Sequence, residues 1–198
     1  MEQEYKWKID EKIIKDILNS EFVSKHIINK CKIDMESIYY DDMNGTIKKN
    51  GGALRKRKQN QENICCLKIE QKSNNNCKKR KEYELEENNI YKALEKFPDI
   101  GAPKEICEKI RKEELIELCT MKFYRSAYEL KIKEKCILEL AFDKGEMAKG
   151  DKKQDFMEME LEFKSGNENE FHTYANMLEN MFNLRIQPLS KIARAMKL

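Results

Sequence analysis

The chain has 198 residues and carries 39 lysines and arginines against 36 aspartates and glutamates, which gives a net charge of +3. This length suits one domain, which we place at 1–198. The longest segment free of charged side chains, 171–178, has eight residues, far fewer than the ~20 that a membrane helix needs. Because 40% of the residues are hydrophobic, the chain can form a core, and we expect a globular protein outside the membrane.

The cysteines and histidines show no pattern typical of a structural metal site. The seven cysteines are irregularly spaced and form no CxxC pair, and His26 and His172 lie far in sequence from any pair of cysteines. The first ten residues carry several charges and lack the apolar segment of a secretory signal. Since free thiols are typical of cytosolic proteins, we expect a cytoplasmic location.

Strand and helix patterns alternate along the first half of the chain. Over 1–9 the hydropathy has a period of two, with charged residues on one face and largely apolar residues on the other. The charged face of this predicted strand holds Glu2, Glu4, Lys6 and Lys8. Helical spacing follows over 10–30, and an extended segment over 31–43. The next predicted elements are strands at 53–58, 64–69 and 80–86 and helices at 88–97 and 103–118.

The second half of the chain repeats the order of strands followed by a helix. The predicted strands span 121–133, 135–142 and 156–163, and the predicted helix spans 169–183. On the last strand, Glu158, Glu160 and Glu162 share one face, and apolar residues occupy the other. We expect a turn at 143–145 that opens a long charged loop over 144–155, and a short basic segment near the end of the chain.

The charged faces of these strands are sorted by sign. Acidic residues dominate at 2–4 and 158–162, and basic residues at 55–57 and 68. A solvated face of an antiparallel sheet would mix the signs freely, whereas a closed barrel could turn these faces inward and leave the apolar faces to helices. We therefore predict an α+β fold, a closed antiparallel β-barrel of about eight strands that forms a polar tunnel and is flanked by helices.

A tunnel lined by both signs of charge has a chemical consequence. Buried charges are tolerated only where they pair or bind a ligand. Arginine and lysine bind phosphate oxygens, and clustered carboxylates bind hard cations such as Mg²⁺. The predicted tunnel would therefore suit a polyanion together with a divalent cation, while an open sheet with its charged face in water stays the alternative.

The order of the charged motifs resembles that of the CYTH superfamily, the triphosphate tunnel metalloenzymes. The segment 2–6 (EQEYK) is similar to the ExExK signature of that family. The matching motifs that follow are YYDD (39–42), LRKRK (54–58), the strand ending at Lys68, RKEYE (80–84), Arg125, LELAFDKG (138–145), EMELE (158–162) and SKIAR (190–194). The resemblance implies a closed antiparallel barrel with a polar tunnel, and activity on triphosphate compounds with Mg²⁺ or Mn²⁺, with two ions expected.

The resemblance also implies roles for individual residues. Glu4, Lys6 and Glu160 are expected to act in catalysis. The carboxylates expected to bind metal are Glu2, Glu4, Glu139, Glu158, Glu160 and Glu162. The residues expected to bind the substrate phosphates are Lys6, Lys8, Arg55, Arg57, Lys68, Arg80, Glu82, Glu84, Arg125, Lys191 and Arg194.

The family includes inorganic tripolyphosphatases, thiamine triphosphatases, RNA triphosphatases and class IV adenylate cyclases. From the resemblance we expect metal-dependent hydrolysis of a triphosphate, with inorganic tripolyphosphate first and thiamine triphosphate or a nucleoside triphosphate next. The alternatives are a class IV-type adenylate cyclase that forms cyclic AMP and pyrophosphate from ATP, and a non-catalytic polyphosphate-binding protein. We expect a small-molecule triphosphate as partner, a monomer or homodimer, and no nucleic acid, because acids interrupt the basic runs.

Overall fold

The computed structural model describes residues 2–71, 78–133 and 135–198, without the side chains of residues 2, 70–71 and 78–80. The strands are β1 (Glu2–Lys8), β2 (Ile27–Asp42), β3 (Gly52–Gln59), β4 (Glu62–Gln71), β5 (Lys78–Glu86), β6 (Leu115–Lys131), β7 (Ile137–Lys149), β8 (Lys152–Ser165) and β9 (Arg185–Ile186). The helices are α1 (Glu11–Asn19), α2 (Glu21–Ser24), α3 (Thr46–Lys49), α4 (Ile90–Lys96), α5 (Lys104–Arg111), α6 (Glu168–Phe182) and α7 (Lys191–Ala195), with a short 3-10 helix at Phe97–Ile100. Among these helices, none combines the length and apolar character needed to span a bilayer.

Within the described residues, the nine strands form one antiparallel sheet. Their order is β5-β4-β3-β2-β6-β7-β8-β1-β9, and β5 also pairs with β1. This additional pairing covers three residue pairs, from Glu2–Arg80 to Glu4–Lys78, and it joins the two ends of the run from β5 to β1. The predicted α+β tunnel fold with flanking helices is confirmed, and the strands meet around the tunnel through this short ladder rather than along a full-length seam.

The apolar faces of the strands point outward and are covered by helices. On β1, β7 and β8, the fully buried Trp7, Leu140 and Leu161 lie in one core with Phe171 and Leu178 of α6. A second core joins β3, β4 and β5 to α4 and α5, and it includes Leu54, Leu67, Tyr83, Leu94 and Ile110. Because neighbouring residues of a strand point to opposite faces, these strands turn their charged residues toward the interior of the sheet.

The segment 144–155 is a β-hairpin, so the prediction of a turn at 143–145 and a long loop was wrong. Strand β7 continues to Lys149 and β8 begins at Lys152, with Gly150 in the left-handed region at φ 56° between them. Gly145 lies inside β7, where a Cβ atom would stand 2.1 Å from the backbone oxygen of Lys122. Gly145 therefore allows close approach of β6 to β7 and does not form a turn.

Two predicted helices were too long. The segment 10–30 contains α1 and α2, which are separated at Ser20, and β2 begins at Ile27. The Ser20 side chain accepts a hydrogen bond from the Val23 backbone N–H and so starts a new helix. The segment 103–118 contains α5, and β6 already begins at Leu115. Short apolar runs fit a helix and a strand equally well, and sheet pairing decides between them.

Candidate active site

The inward faces of the strands enclose a cavity of about 280 Å³. Its charged lining consists of Glu4, Glu82, Glu84, Glu139, Glu160, Glu162, Lys6, Arg55, Arg57, Lys68, Arg125, Lys164 and Lys191. All of these residues except Lys164 were predicted from the sequence to belong to the site. One cavity therefore brings together acids and bases that lie far apart in the sequence.

The acidic side of the cavity follows from the register of three neighbouring strands. On β8, Glu162 is opposite Glu4 of β1 on one side and Glu139 of β7 on the other. Two residues before Glu162 on β8, Glu160 is opposite Lys6 of β1. Side chains directly opposite each other in an antiparallel pair lie close together on the same face. The alternation of EMELE and EQEYK therefore directs these carboxylates into one region of the cavity wall.

Three carboxylates, of which Glu160 lines the cavity, form a compact cluster. Asp143 and Glu158 are fully buried, and Glu160 is 8% exposed. One oxygen of each lies within 4.8 Å of the corresponding oxygens of the other two. Carboxylates this close repel one another unless positive charge lies between them, so the cluster requires a cation.

Two cations of the barrel wall bind this carboxylate cluster. Lys6 Nζ lies 2.6 Å from Glu160 Oε1. Arg125 donates from Nε and Nη2 to the two oxygens of Asp143, both at 2.8 Å, and also from Nη2 to Glu160 Oε2 at 2.5 Å. The fork of the guanidinium matches the carboxylate of Asp143, a geometry that lysine cannot reproduce. The position of Arg125 is therefore fixed by Asp143 and Glu160.

Helix α7 brings two further cations to the cluster. The ammonium of Lys191 lies 2.7 Å from Asp143 Oδ2 and 2.9 Å from Glu160 Oε1, and it also contacts Glu158. Arg194 contacts the other oxygen of Glu158. The side chain of Ser190 accepts a hydrogen bond from the Ala193 backbone N–H and starts this helix, which sets the direction of both cations. The Lys191 ammonium thus lies among all three carboxylates.

These charges shift the pKa values of the groups involved. Burial alone raises the pKa of Glu160, but the positive charges of Lys191, Lys6 and Arg125 outweigh it and hold that pKa well below its usual value. Burial alone lowers the pKa of Lys191, but Asp143 and the two glutamates of the cluster outweigh it and raise that pKa well above its usual value. Glu160 is therefore ionised and Lys191 protonated at neutral pH.

The opposite wall of the cavity is basic. Arg55 and Arg57 of β3 and Lys68 of β4 point inward, and their side chains are 12–13% exposed. Among the described residues, no acceptor lies within hydrogen-bonding distance of the Nε atoms of the two arginines. A buried donor without a partner is costly, and a phosphate oxygen would supply the missing acceptor. The basic wall is therefore suited to an anionic ligand.

The acid Glu82 on this basic wall allows a prediction about stability. Burial raises its pKa, but Lys68 and Arg55 outweigh burial and lower the pKa from 4.5 to about 2. Because the folded-state pKa is lower than the unfolded-state pKa, the resulting stability is present above pH 4.5 and is lost as the pH falls toward 2. We expect the difference in unfolding free energy between the wild type and Glu82→Gln, measured by urea denaturation, to shrink across this range. A difference that does not change with pH would contradict this assignment.

The residues of the acidic cluster fit a hard divalent cation. Asp143, Glu158 and Glu160 offer converging oxygen ligands, which Mg²⁺ and Mn²⁺ prefer. The position of the Lys191 ammonium shows that the cluster attracts a cation.

A second group, Cys66 with two glutamates of β5, also has its ligand atoms within 4.8 Å of one another. Burial raises the pKa of the Cys66 thiol, so this group offers a protonated sulfur and suits Mg²⁺ poorly.

Five predicted site residues have a different status. Glu158 and Arg194 do not line the cavity but contact each other at the buried cluster. Lys8 is exposed and does not line the cavity, because it lies at the end of β1 where the strand pairs with Arg185 of β9. The side chains of Glu2 and Arg80 lie outside the described residues. The structure adds Asp143 and Lys164, which the sequence analysis missed. Asp143 lies two residues after Ala141 and Lys164 two residues after Glu162, so each lies on the same face of its strand as residues assigned to the interior. This alternation could have identified both.

Comparisons with solved structures confirm the fold. A proposed adenylyl cyclase from Hippeastrum, for which a dominant triphosphatase activity is described, aligns with a TM-score of 0.68 at 18% identity and covers 100% of this chain and 96% of its own. A conserved hypothetical protein from Pyrococcus furiosus aligns with a TM-score of 0.59 at 19% identity over 97% of this chain and 98% of its own. A proposed adenylate cyclase from Bacillus halodurans aligns with a TM-score of 0.57 at 18% identity and covers 96% of this chain and 95% of its own.

Sequence comparison identifies the family. No curated protein matches the chain. The sequence does match the CYTH domain family over residues 1–196, which is nearly its whole length. This match agrees with the antiparallel tunnel, with its two walls of opposite charge, and with the fold of the solved structures. The chain therefore belongs to the CYTH domain family.

Proposed function

We propose that the protein is a metal-dependent hydrolase that releases phosphate from a triphosphate substrate, with inorganic tripolyphosphate first and thiamine triphosphate or a nucleoside triphosphate next. The observation that carries this proposal is the buried carboxylate cluster of Asp143, Glu158 and Glu160, which reaches through Glu160 the same cavity that Arg55 and Arg57 line. Membership of the CYTH family and the triphosphatase activity of the Hippeastrum protein support it.

The basic wall would bind the phosphate chain. Arginine and lysine side chains bind phosphate oxygens, and arginine does so with two parallel hydrogen bonds. Arg55, Arg57 and Lys68 lie on one side of the cavity and Arg125 and Lys191 on the other. A compact polyanion between them would contact positive charge along its length. This density of cations supports inorganic tripolyphosphate as the first substrate.

The carboxylates Asp143, Glu158 and Glu160 would hold the divalent ion. When bound, Mg²⁺ or Mn²⁺ would supply charge stabilisation at the phosphoryl oxygens and a more acidic water. Lys6, which contacts Glu160, would orient this carboxylate and add positive charge next to the phosphates. Arg125 would hold Asp143 in position and also lines the cavity, where it would face the phosphates. Phosphoryl transfer depends mainly on such positioning and charge stabilisation.

Neither histidine takes part in the proposed reaction. His172 Nδ1 lies 2.9 Å from the Tyr5 hydroxyl, on the outer face of the sheet, and His26 Nδ1 lies 3.0 Å from the Lys131 carbonyl oxygen. The thiol of Cys66 is buried, and burial raises its pKa, so little reactive thiolate is present. Direct attack by water therefore accounts for turnover better than a covalent intermediate on the protein.

Product analysis tests this proposal. Purified protein is incubated with tripolyphosphate, thiamine triphosphate and ATP, each with Mg²⁺, with Mn²⁺ and without metal. We expect release of inorganic phosphate that requires metal and is fastest with tripolyphosphate. Cyclic AMP and pyrophosphate from ATP would instead identify an adenylate cyclase. Binding of tripolyphosphate without any product would identify a non-catalytic polyphosphate-binding protein.

A further inference from the structure

The cations of the basic wall, on β3 and β4, are paired with two acids of β5, the strand next to β4. Lys68 Nζ lies 2.9 Å from Glu82 Oε1. Arg55 Nη2 lies 3.4 Å from one oxygen of Glu82 and 3.4 Å from one oxygen of Glu84, and Arg57 Nη2 lies 3.2 Å from that same Glu84 oxygen. Glu82 and Glu84 thus contact the cations that would bind phosphate.

The contacts of the two arginines with Glu84 are loose. Strong charge-assisted hydrogen bonds between nitrogen and oxygen measure about 2.7–2.9 Å, and Arg125 meets this range in its paired contact with Asp143. Glu84, by contrast, offers one oxygen to two guanidinium groups at 3.2–3.4 Å. Its side chain is 38% exposed, so the carboxylate can turn toward solvent without losing hydration. The pairing can therefore be displaced by a stronger anion.

Glu82 is held more firmly than Glu84. In addition to Lys68, it accepts a hydrogen bond from the thiol of Cys66, whose Sγ lies 3.1 Å from Glu82 Oε1. Cys66 is fully buried, and its side chain points into the tunnel because it has the same parity on β4 as Lys68. Glu84 is thus the acid that can leave the basic wall when an anion enters.

We propose that Glu84 is an internal competitor of the substrate phosphates: it occupies Arg55 and Arg57 in the empty tunnel and returns to them as product leaves. This inference rests on the proposed function and concerns the same site. A carboxylate cannot bind a phosphate oxygen directly, since both are negative. Its position next to the phosphate-binding cations lowers the affinity of the tunnel for polyphosphate and favours product release. Glu84 is a positioning residue and not a phosphate ligand.

Removing the charge of Glu84 should therefore strengthen anion binding. Glutamine has nearly the same size as glutamate and lacks the charge, so Glu84→Gln removes the competing charge from both arginines, while Arg55 keeps its contact with Glu82. We expect the Kd for tripolyphosphate to fall roughly tenfold, the scale of one charge-assisted hydrogen bond. The KM should fall in parallel, and kcat should fall because pyrophosphate leaves more slowly. A purely structural role for Glu84 would weaken binding instead.

Glu86 provides a matched control. It lies on β5 two residues beyond Glu84 and does not line the cavity. Glu86→Gln removes the same charge at a greater distance from the tunnel, so its effect on binding measures the change in net charge alone. We expect the Kd of this variant to stay within about twofold of the wild-type value, because exposed charges are screened by salt.

The test is a titration of tripolyphosphate into wild type, Glu84→Gln and Glu86→Gln by calorimetry in metal-free buffer, with circular dichroism to confirm folding. Tighter binding by Glu84→Gln alone supports the inference. Equal or weaker binding by Glu84→Gln overturns it, as does equal tightening in both variants. Absence of binding by the wild type in this buffer overturns the inference, whereas absence of metal-dependent phosphate release in the product analysis overturns the proposed function. If Glu84→Gln does not fold, Glu84→Ser is measured against the same criteria.

Discussion

Replacing Glu160 by glutamine is expected to reduce metal-dependent phosphate release more than about 100-fold. Replacing a residue that only hydrogen-bonds to a metal ligand already lowers metal affinity or activity about 10- to 100-fold. Glu160 belongs to the carboxylate cluster that would bind the metal itself. Its two oxygens also receive Lys6, Arg125 and Lys191. Loss of its charge would thus impair metal binding and remove one partner from each of three cations. Steady-state phosphate release at saturating Mg²⁺ measures the effect.

A surface glutamate provides the control for Glu160. Glu146 lies on β7 and pairs with Lys153 at 2.9 Å at the protein surface. We expect Glu146→Gln to keep its activity, since exposed ion pairs contribute little. Both variants should stay folded, because the apolar cores outside the sheet are unchanged, and circular dichroism checks this. Full activity in Glu160→Gln would refute the role of the cluster in metal binding.

Replacing Lys191 by methionine is expected to have opposite effects on stability and on metal binding. The Lys191 ammonium lies among Asp143, Glu158 and Glu160, the position that a divalent ion would take. Removing one partner of a buried ion pair costs about 3–5 kcal/mol, so we expect the Tm in metal-free buffer to fall by about 10 °C. Without a competing ammonium, the variant should bind Mn²⁺ roughly tenfold more tightly.

Electron paramagnetic resonance of free Mn²⁺ measures this affinity without any need for turnover. Lys149→Met is the control, because Lys149 donates a hydrogen bond to the Met196 carbonyl oxygen and so holds the end of the chain without touching the carboxylates. We expect its Mn²⁺ affinity to equal that of the wild type. An unchanged Mn²⁺ affinity in Lys191→Met would mean that the ammonium and the ion do not share one position.

Strand parity made much of the site predictable from the sequence. The alternation of EMELE and EQEYK assigned Glu4, Lys6, Glu160 and Glu162 to one face of their strands, and the structure places all four in the cavity wall. Parity does not tell where along a strand the cavity ends. Lys8 has the right parity but lies beyond that end, where β1 meets β9.

Other features could not be predicted because they depend on long-range pairing. Asp143 was assigned to a turn, since Asp-Lys-Gly is typical of turns, whereas pairing of β7 with both neighbouring strands keeps the segment extended. The pairing of Lys191 with the carboxylate cluster depends on how α7 packs against the sheet, which no local pattern encodes. The contact between Glu84 and the arginines of β3 likewise arises from the register across β3, β4 and β5.

A crystal structure with Mn²⁺ and a non-hydrolysable triphosphate would test most directly whether the barrel interior binds both ligands. We predict an anomalous peak for Mn²⁺ among Asp143, Glu158 and Glu160, and phosphate groups in contact with Arg55 and Arg57. Ion and anion found only on the outer surface, with the charged side chains of the tunnel still paired to one another, would contradict the proposed function.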